Sequence, residues 1–201
     1  TELYEVEPVG KFYENPGEPK KYKAHALNMQ YIGKINDVNT IKYLVDNGAN
    51  VHANHDASLR SAAYNGCLEV VKYLIEQGAD IHANDDEAVR CSAEYGHLEV
   101  VKYLVENGAK IHTYNDYALR FAAKKGHLEI VKYLLNHGAN IHASYDSALR
   151  WAVYNGHLDV VKYLKKNGAN IHAWNDEIFR WPAYNGQVEV VKYLKNLNKK
   201  N

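Results

Sequence analysis

Cysteine is scarce. Cys67 and Cys91 are the only two in 201 residues, and each stands where comparable stretches of the chain carry other residues: His or Gln in place of Cys67, and Ser, Phe or Trp in place of Cys91. A disulfide framework or a cysteine-based zinc site is therefore excluded in favour of free thiols in a reducing compartment. No apolar run approaches the roughly eighteen residues that a membrane span needs. The opening "TELYEVEPVG" has no basic segment followed by an apolar one, so it does not read as a secretory signal. The chain begins at Thr1 without a methionine, so a natural start ahead of it is expected. Asn-x-Ser/Thr acceptors are absent, which agrees with a cytoplasmic home. No glycine is followed by Lys-Ser or Lys-Thr, so there is no phosphate-cradling loop.

Net charge is also missing, at +0, but the balance hides a gradient. Residues 1–100 carry 9 Lys/Arg and 16 Asp/Glu, net −7, and residues 101–201 carry 15 and 8, net +7. An elongated molecule with this distribution has an acidic end and a basic end. The basic finish, with Lys192, Lys195, Lys199 and Lys200, is too short a stretch to argue for nucleic acid.

What the chain does have is one phrase written repeatedly. "GCLEVVKYL" begins at Gly66, and its variants begin at Gly96, Gly126, Gly156 and Gly186, always 30 residues apart. In "LEVVKYLIEQ", Glu69, Lys72 and Glu76 form a polar stripe at helical spacing, and the apolar remainder must be covered on two sides. The preceding "DASLRSAAYNG" reads as a shorter helix opened by Asp56 as N-cap, with glycine stops at Gly66 and Gly78. An extended stretch such as "GADIHANDD" leads to the next aspartate. Thirty residues cannot bury enough surface to offset their own ordering entropy, roughly 1–2 kcal/mol per residue for the backbone. Stacked units that cover one another can, which predicts an elongated, curved solenoid with a long groove.

Units ending "NGANIHA" or "QGADIHA" and containing "GHLEVVKYL" resemble the ankyrin repeat, over residues 27 to about 196 and six helix pairs. The dialect, with "ALR" before paired small residues and "VVKYL" in the second helix, is most similar to the ankyrin proteins of giant amoeba-infecting DNA viruses of the mimivirus kind. The resemblance implies an all-α ankyrin-repeat solenoid. It has a 30-residue period in place of the family's 33 or so, with the missing residues taken from the hairpin tip between units. Residues 1–26 are expected to form a non-repeat cap or arm, 27–197 the array and 198–201 a polar tail. Where the family has Thr-Pro-Leu-His, this chain has "YALR" or "SALR", and Asp56, Asp86, Asp116, Asp146 and Asp176 are expected to take over the capping role.

Residues constant from unit to unit are read as mortar. The arginines four residues after each aspartate, Arg60, Arg90, Arg120, Arg150 and Arg180, are expected to pair with their own or a neighbouring Asp. The histidine columns, His52, His82, His112, His142 and His172 with His97, His127 and His157, place successive members about 8–10 Å apart, too far for a zinc ion whose ligands lie about 2 Å away. They are expected to make structural hydrogen bonds. No metal, no cofactor, no small-molecule substrate and no nucleophile constellation is read, so the protein is expected not to be an enzyme.

The variable positions carry the message, and the ankyrin resemblance maps them to a partner-facing surface. The expected partner-binding residues are Tyr114, Lys124, Tyr145, Trp151, Tyr154, Trp174, Trp181 and Tyr184, because aromatic residues on a groove are the usual anchors of an interface. For Phe121, Trp151 and Trp181 a second reading stays open, that they fill space under the shortened turns. Pro182 is expected to distort the last first-helix. The expected function is a scaffold binding a protein partner along its concave groove, with a viral protein engaging host or viral proteins in the host cytoplasm implied by the resemblance. The alternatives are a structural, self-assembling role through the complementary ends, or a ubiquitin-ligase adaptor, for which no F-box-like tail is visible. No membrane partner is expected.

Overall fold

A computed structural model describes residues 37–172 and 187–198 of the chain. Among the described residues there are ten helices and no strand: α1 (Val38–Asp46), α2 (Ala53–Tyr64), α3 (Leu68–Glu76), α4 (Ala83–Tyr95), α5 (Leu98–Glu106), α6 (Thr113–Lys125), α7 (Leu128–Asn136), α8 (Ala143–Asn155), α9 (Leu158–Lys166) and α10 (Val188–Asn198). Helices α2/α3, α4/α5, α6/α7 and α8/α9 are four complete units. Helices α1 and α10 are the second helices of a unit at each end. Residues 1–26, the tail beyond Asn198, Pro182, and the expected contact residues Trp174, Trp181 and Tyr184 lie outside the described residues.

The second helices form because their sequence is two-sided. In α3, Val70, Val71, Tyr73 and Leu74 are buried while Glu69 and Glu76 are exposed, and Lys72 Nζ donates to Glu69 Oε1 at 2.7 Å. The same pair recurs at Lys102–Glu99, Lys132–Glu129 and Lys192–Glu189. Asp37 starts α1 in the manner that caps require, with its carboxylate accepting from Asn39 N and Thr40 N at 3.1 Å. A further bond from the Thr40 hydroxyl holds that carboxyl below the usual aspartate range.

One continuous core runs the length of the array, with Leu59, Leu74, Leu104, Leu119, Leu134 and Leu149 each 1% exposed or less. Each such leucine contributes about 2 kcal/mol by leaving water, and the core is one cluster across all the units, so that burial depends on neighbours stacking. The first helices α2, α4, α6 and α8 touch one another more extensively than the second helices do. The array therefore bends toward the first-helix side, and that side is the inner surface. Small residues allow the close approach, with Ala63, Ala93 and Ala123 fully buried at equivalent places.

Candidate partner-binding surface

Each first helix is preceded by a turn that the sequence pattern does not announce. The stretch expected to be extended is a turn at residues 81 and 82, followed by three consecutive residues in the left-handed region: Asn84 (φ 52°), Asp85 (φ 56°) and Asp86 (φ 58°). The same left-handed triplet occurs at 54–56, 114–116 and 144–146. Left-handed backbone costs an ordinary L-residue about 1–2 kcal/mol, so a run of three needs external support. Composition supplies part of it, because Asn and Asp tolerate this region best and they dominate these positions.

The arginine supplies much of the rest. Arg120 Nε donates to Asn115 O at 2.8 Å and its Nη2 to Tyr114 O at 2.7 Å. Arg90 makes the same fork to Asp85 O and Asn84 O, and Arg60 to His55 O and Asn54 O. The expected Arg–Asp pairing is thus corrected: the guanidinium clamps two carbonyls of the turn ahead of it. The planar fork suits two roughly parallel acceptors, whereas a lysine ammonium has no such fixed geometry.

The aspartates also act differently from expectation. Asp86 is 2% exposed, and its Oδ1 accepts from His82 Nδ1 at 2.8 Å and from the backbone N–H of Lys110, in the next unit, at 2.8 Å. Asp56, Asp116 and Asp146 repeat the arrangement with His52 and Asp80, His112 and Asn140, and His142 and Asn170. The carboxylate faces across the seam between units and is bracketed there, so its described bonds do not cap its own helix. The sequence holds a clue to this, since an aspartate invariant within the array and followed by an invariant arginine has to serve the frame. Its direction depends on a backbone conformation that periodicity does not reveal.

The second histidine column makes structural bonds too. His127 Nε2 donates to Glu94 O at 3.0 Å, closing the end of α4 from the following unit, and His97 and His157 do the same for Tyr64 O and Lys124 O. The imidazole lies against Gly96, where a Cβ would come within 2.7 Å of His127 Cε1 and where φ is +88°. Both the backbone and the histidine therefore require glycine there. Burial holds the His127 pKa below its ordinary value of 6.5. Among the described residues no group of three or more His, Cys, Asp or Glu converges as a metal site would require.

Upon this frame the variable residues line the inner surface. Tyr114, Tyr145 and Tyr154 are exposed by 57%, 74% and 42%, whereas Lys124, Phe121 and Trp151 are half-buried. Phe121 stacks flat on Tyr117, with centroids 3.8 Å apart, and Trp151 meets Tyr154 edge-on at 6.0 Å. Lys124 Nζ lies 4.9 Å from both the Phe121 and the Trp151 ring centroids. Toward the amino end the same surface is acidic. Glu87 binds Arg60 at 2.8 Å, Glu94 accepts from the Tyr117 hydroxyl at 2.8 Å, and Asp85 accepts from the Tyr114 hydroxyl at 3.0 Å. Burial and the Glu94 carboxylate together push the Tyr117 phenol pKa up. Burial raises the Cys91 thiol to about 11, which leaves it protonated and unreactive at neutral pH.

A family model for ankyrin repeats in three copies matches residues 88–175, and a second model for ankyrin repeats in many copies matches residues 59–105. Residues 59–175 are ankyrin repeats. A comparison with curated proteins gave no match. Ankyrin repeats generally mediate protein–protein interaction and are typically non-catalytic, and no described helix is long and apolar enough to cross a membrane.

In this ankyrin array the link between units is short and helical in character, held by the arginine fork and the aspartate bracket. Its exposed residues, Asn54 and His55, Asn84 and Asp85, Tyr114 and Asn115, and Tyr145, stand at the rim of the inner surface. The side chains of the bracket and of the fork lie elsewhere, on the aspartate, histidine and arginine columns.

Proposed function

We propose that the chain is a non-catalytic scaffold that binds a partner protein along the inner surface, with the main contacts in the carboxy-terminal half at Tyr114, Lys124, Tyr145, Trp151 and Tyr154, and with Trp174, Trp181 and Tyr184 continuing the series. The observation that carries this reading is the exposure of Tyr114, Tyr145 and Tyr154 on a rigid frame. A rigid frame loses little entropy on docking, and exposed aromatic rings are the residues whose burial rewards it. The repeat dialect supports a viral setting in which the partner is a host or viral protein in the cytoplasm.

The test is a comparison of proteins captured by the wild type, by the Tyr145→Ala/Tyr154→Ala variant, and by a control altered on the second-helix side, Lys162→Ala/Lys166→Ala. One partner retained by the wild type and the control but lost by the tyrosine variant is the expected result. Equal retention by all three removes the reading.

The opposed charges of the two halves, −7 and +7, favour a second reading, end-to-end self-association. Sedimentation at low and high salt separates the two, because an assembly held by charge complementarity dissociates as salt rises.

A further inference from the structure

The arginine column is answered unequally. Arg60 uses Nε and Nη2 on its turn and Nη1 on Glu87 of the next unit, at 2.8 Å. In the next two units the position of Glu87 is taken by Tyr117 and then Ser147, and an acid returns in the sequence only at Glu177. Arg120 therefore makes its two carbonyl bonds with Nε and Nη2 and, among the described residues, has no carboxylate on Nη1. Ser147, the residue facing it in register, is buried with an unsatisfied hydroxyl oxygen. Lys124, one turn further along α6, stands where the preceding unit has Glu94, and its ammonium lies over the Phe121 and Trp151 rings. Arg120 and Lys124 share the Phe121 ring, at 6.0 and 4.9 Å from its centroid. The acid at the start of α6, Asp116, is buried and already bonded to His112 and Asn140. Arg90 differs, because its guanidinium lies over the Tyr114 and Tyr117 rings, 4.6 and 5.4 Å from their centroids, and the hydroxyls of those two tyrosines already donate to Asp85 and Glu94.

We infer that Arg120 and Lys124, flanked by Phe121 and Trp151, form a carboxylate-binding site for an acidic segment of a partner protein, supplying at this seam the contact that Glu87 supplies within the chain at the first. The two side chains are four residues apart on one helix and so project to the same side, where both face the Phe121 ring. The half-buried Phe121 and Trp151 rings lower the local polarity beside Lys124, which strengthens a charge-assisted bond. The precedent of Glu87 on Arg60 favours a carboxylate over other anions. This inference rests on the scaffold reading and names the chemistry of the partner.

The probe is a short fluorescein-labelled peptide alternating Glu and Thr, with a Gln–Thr counterpart, and the readout is fluorescence anisotropy with the full chain at low salt. The Glu peptide is expected to bind at least about tenfold more tightly than the Gln peptide. Lys124→Glu, a residue type already present at that register in the preceding unit, is expected to weaken binding by about tenfold or more. Lys125→Glu, which makes the same charge change at an exposed neighbour, is expected to weaken it less than about threefold. A melting curve for each variant verifies that the chain is folded. Should Lys124→Glu instead unfold the chain, Lys124→Gln under the same readout decides. Equal binding of both peptides, equal loss in the Lys124 and Lys125 variants, or full displacement by inorganic phosphate at matched ionic strength overturns the inference. None of these outcomes touches the scaffold reading, whose test depends on Tyr145 and Tyr154.

Discussion

Arg60 and Arg120 occupy the same place in two units and make the same pair of bonds to the turn ahead of them, yet they meet different company. In the amino-side half the guanidinium finds Glu87, and the acids Asp85 and Glu94 find phenolic hydroxyls. In the carboxy-side half the cations lie against rings: Arg120 and Lys124 on Phe121, and Lys124 on Trp151. The frame is common to both halves, while the inner surface carries one ion pair and two phenol–carboxylate bonds in one and cations over aromatic rings in the other. The array thus separates the groups that hold it together from those that distinguish its regions.

The largest effect should come from the bracket, and it should be the same in both halves. Asp116→Ala removes the buried carboxylate that accepts from the Asn140 backbone N–H and from His112, and should cost about 3 kcal/mol in urea unfolding. Asp56→Ala should cost a similar amount. A large difference between them would break the idea of a common frame. Next come the glycine stops. Gly96→Ala meets both a left-handed backbone and His127, and should cost about 2–3 kcal/mol, whereas Gly108→Ala, with open space at the Cβ position, should cost about 1 kcal/mol. Thermal melts of the two variants measure the difference.

The surface should behave in the opposite way. Tyr145→Ala with Tyr154→Ala should change stability by less than about 1 kcal/mol while removing partner capture, which sharpens the division between frame and surface.

The smallest effect concerns pH. Because the folded His127 pKa lies below 6.5, the unfolded chain binds the proton more readily. Its contribution to stability is complete above about pH 6.5 and is lost as pH falls through the folded value. His127→Gln, which copies Gln187 at the same register beside Gly156, should flatten that part of the stability profile. Melting temperatures measured between about pH 7.5 and 5 are the check.

Much of the fold was legible in the sequence because packing obeys the period. The glycine stops, the buried face of Val70, Val71 and Leu74, and the wet Glu69–Lys72 stripe are all set by helical spacing. The roles of Asp56 and Arg60 were less legible. Their partners are backbone atoms, a carbonyl or an N–H, whose positions depend on three left-handed residues, and no side-chain pattern states φ. Of the surface, the sequence showed which positions vary, but not that Phe121 and Trp151 sit half-buried with Lys124 over them. Burial of a variable residue depends on what its neighbour unit happens to carry, as Tyr117 against Phe121 illustrates.

The imidazole that seals the first helices α2, α4 and α6 has a consequence for biosynthesis. Because His97 completes the end of α2 and His127 the end of α4, a newly made unit emerging from a ribosome is unfinished until about thirty more residues have followed it. Maturation along the polypeptide is therefore handed backward, each newcomer locking its predecessor.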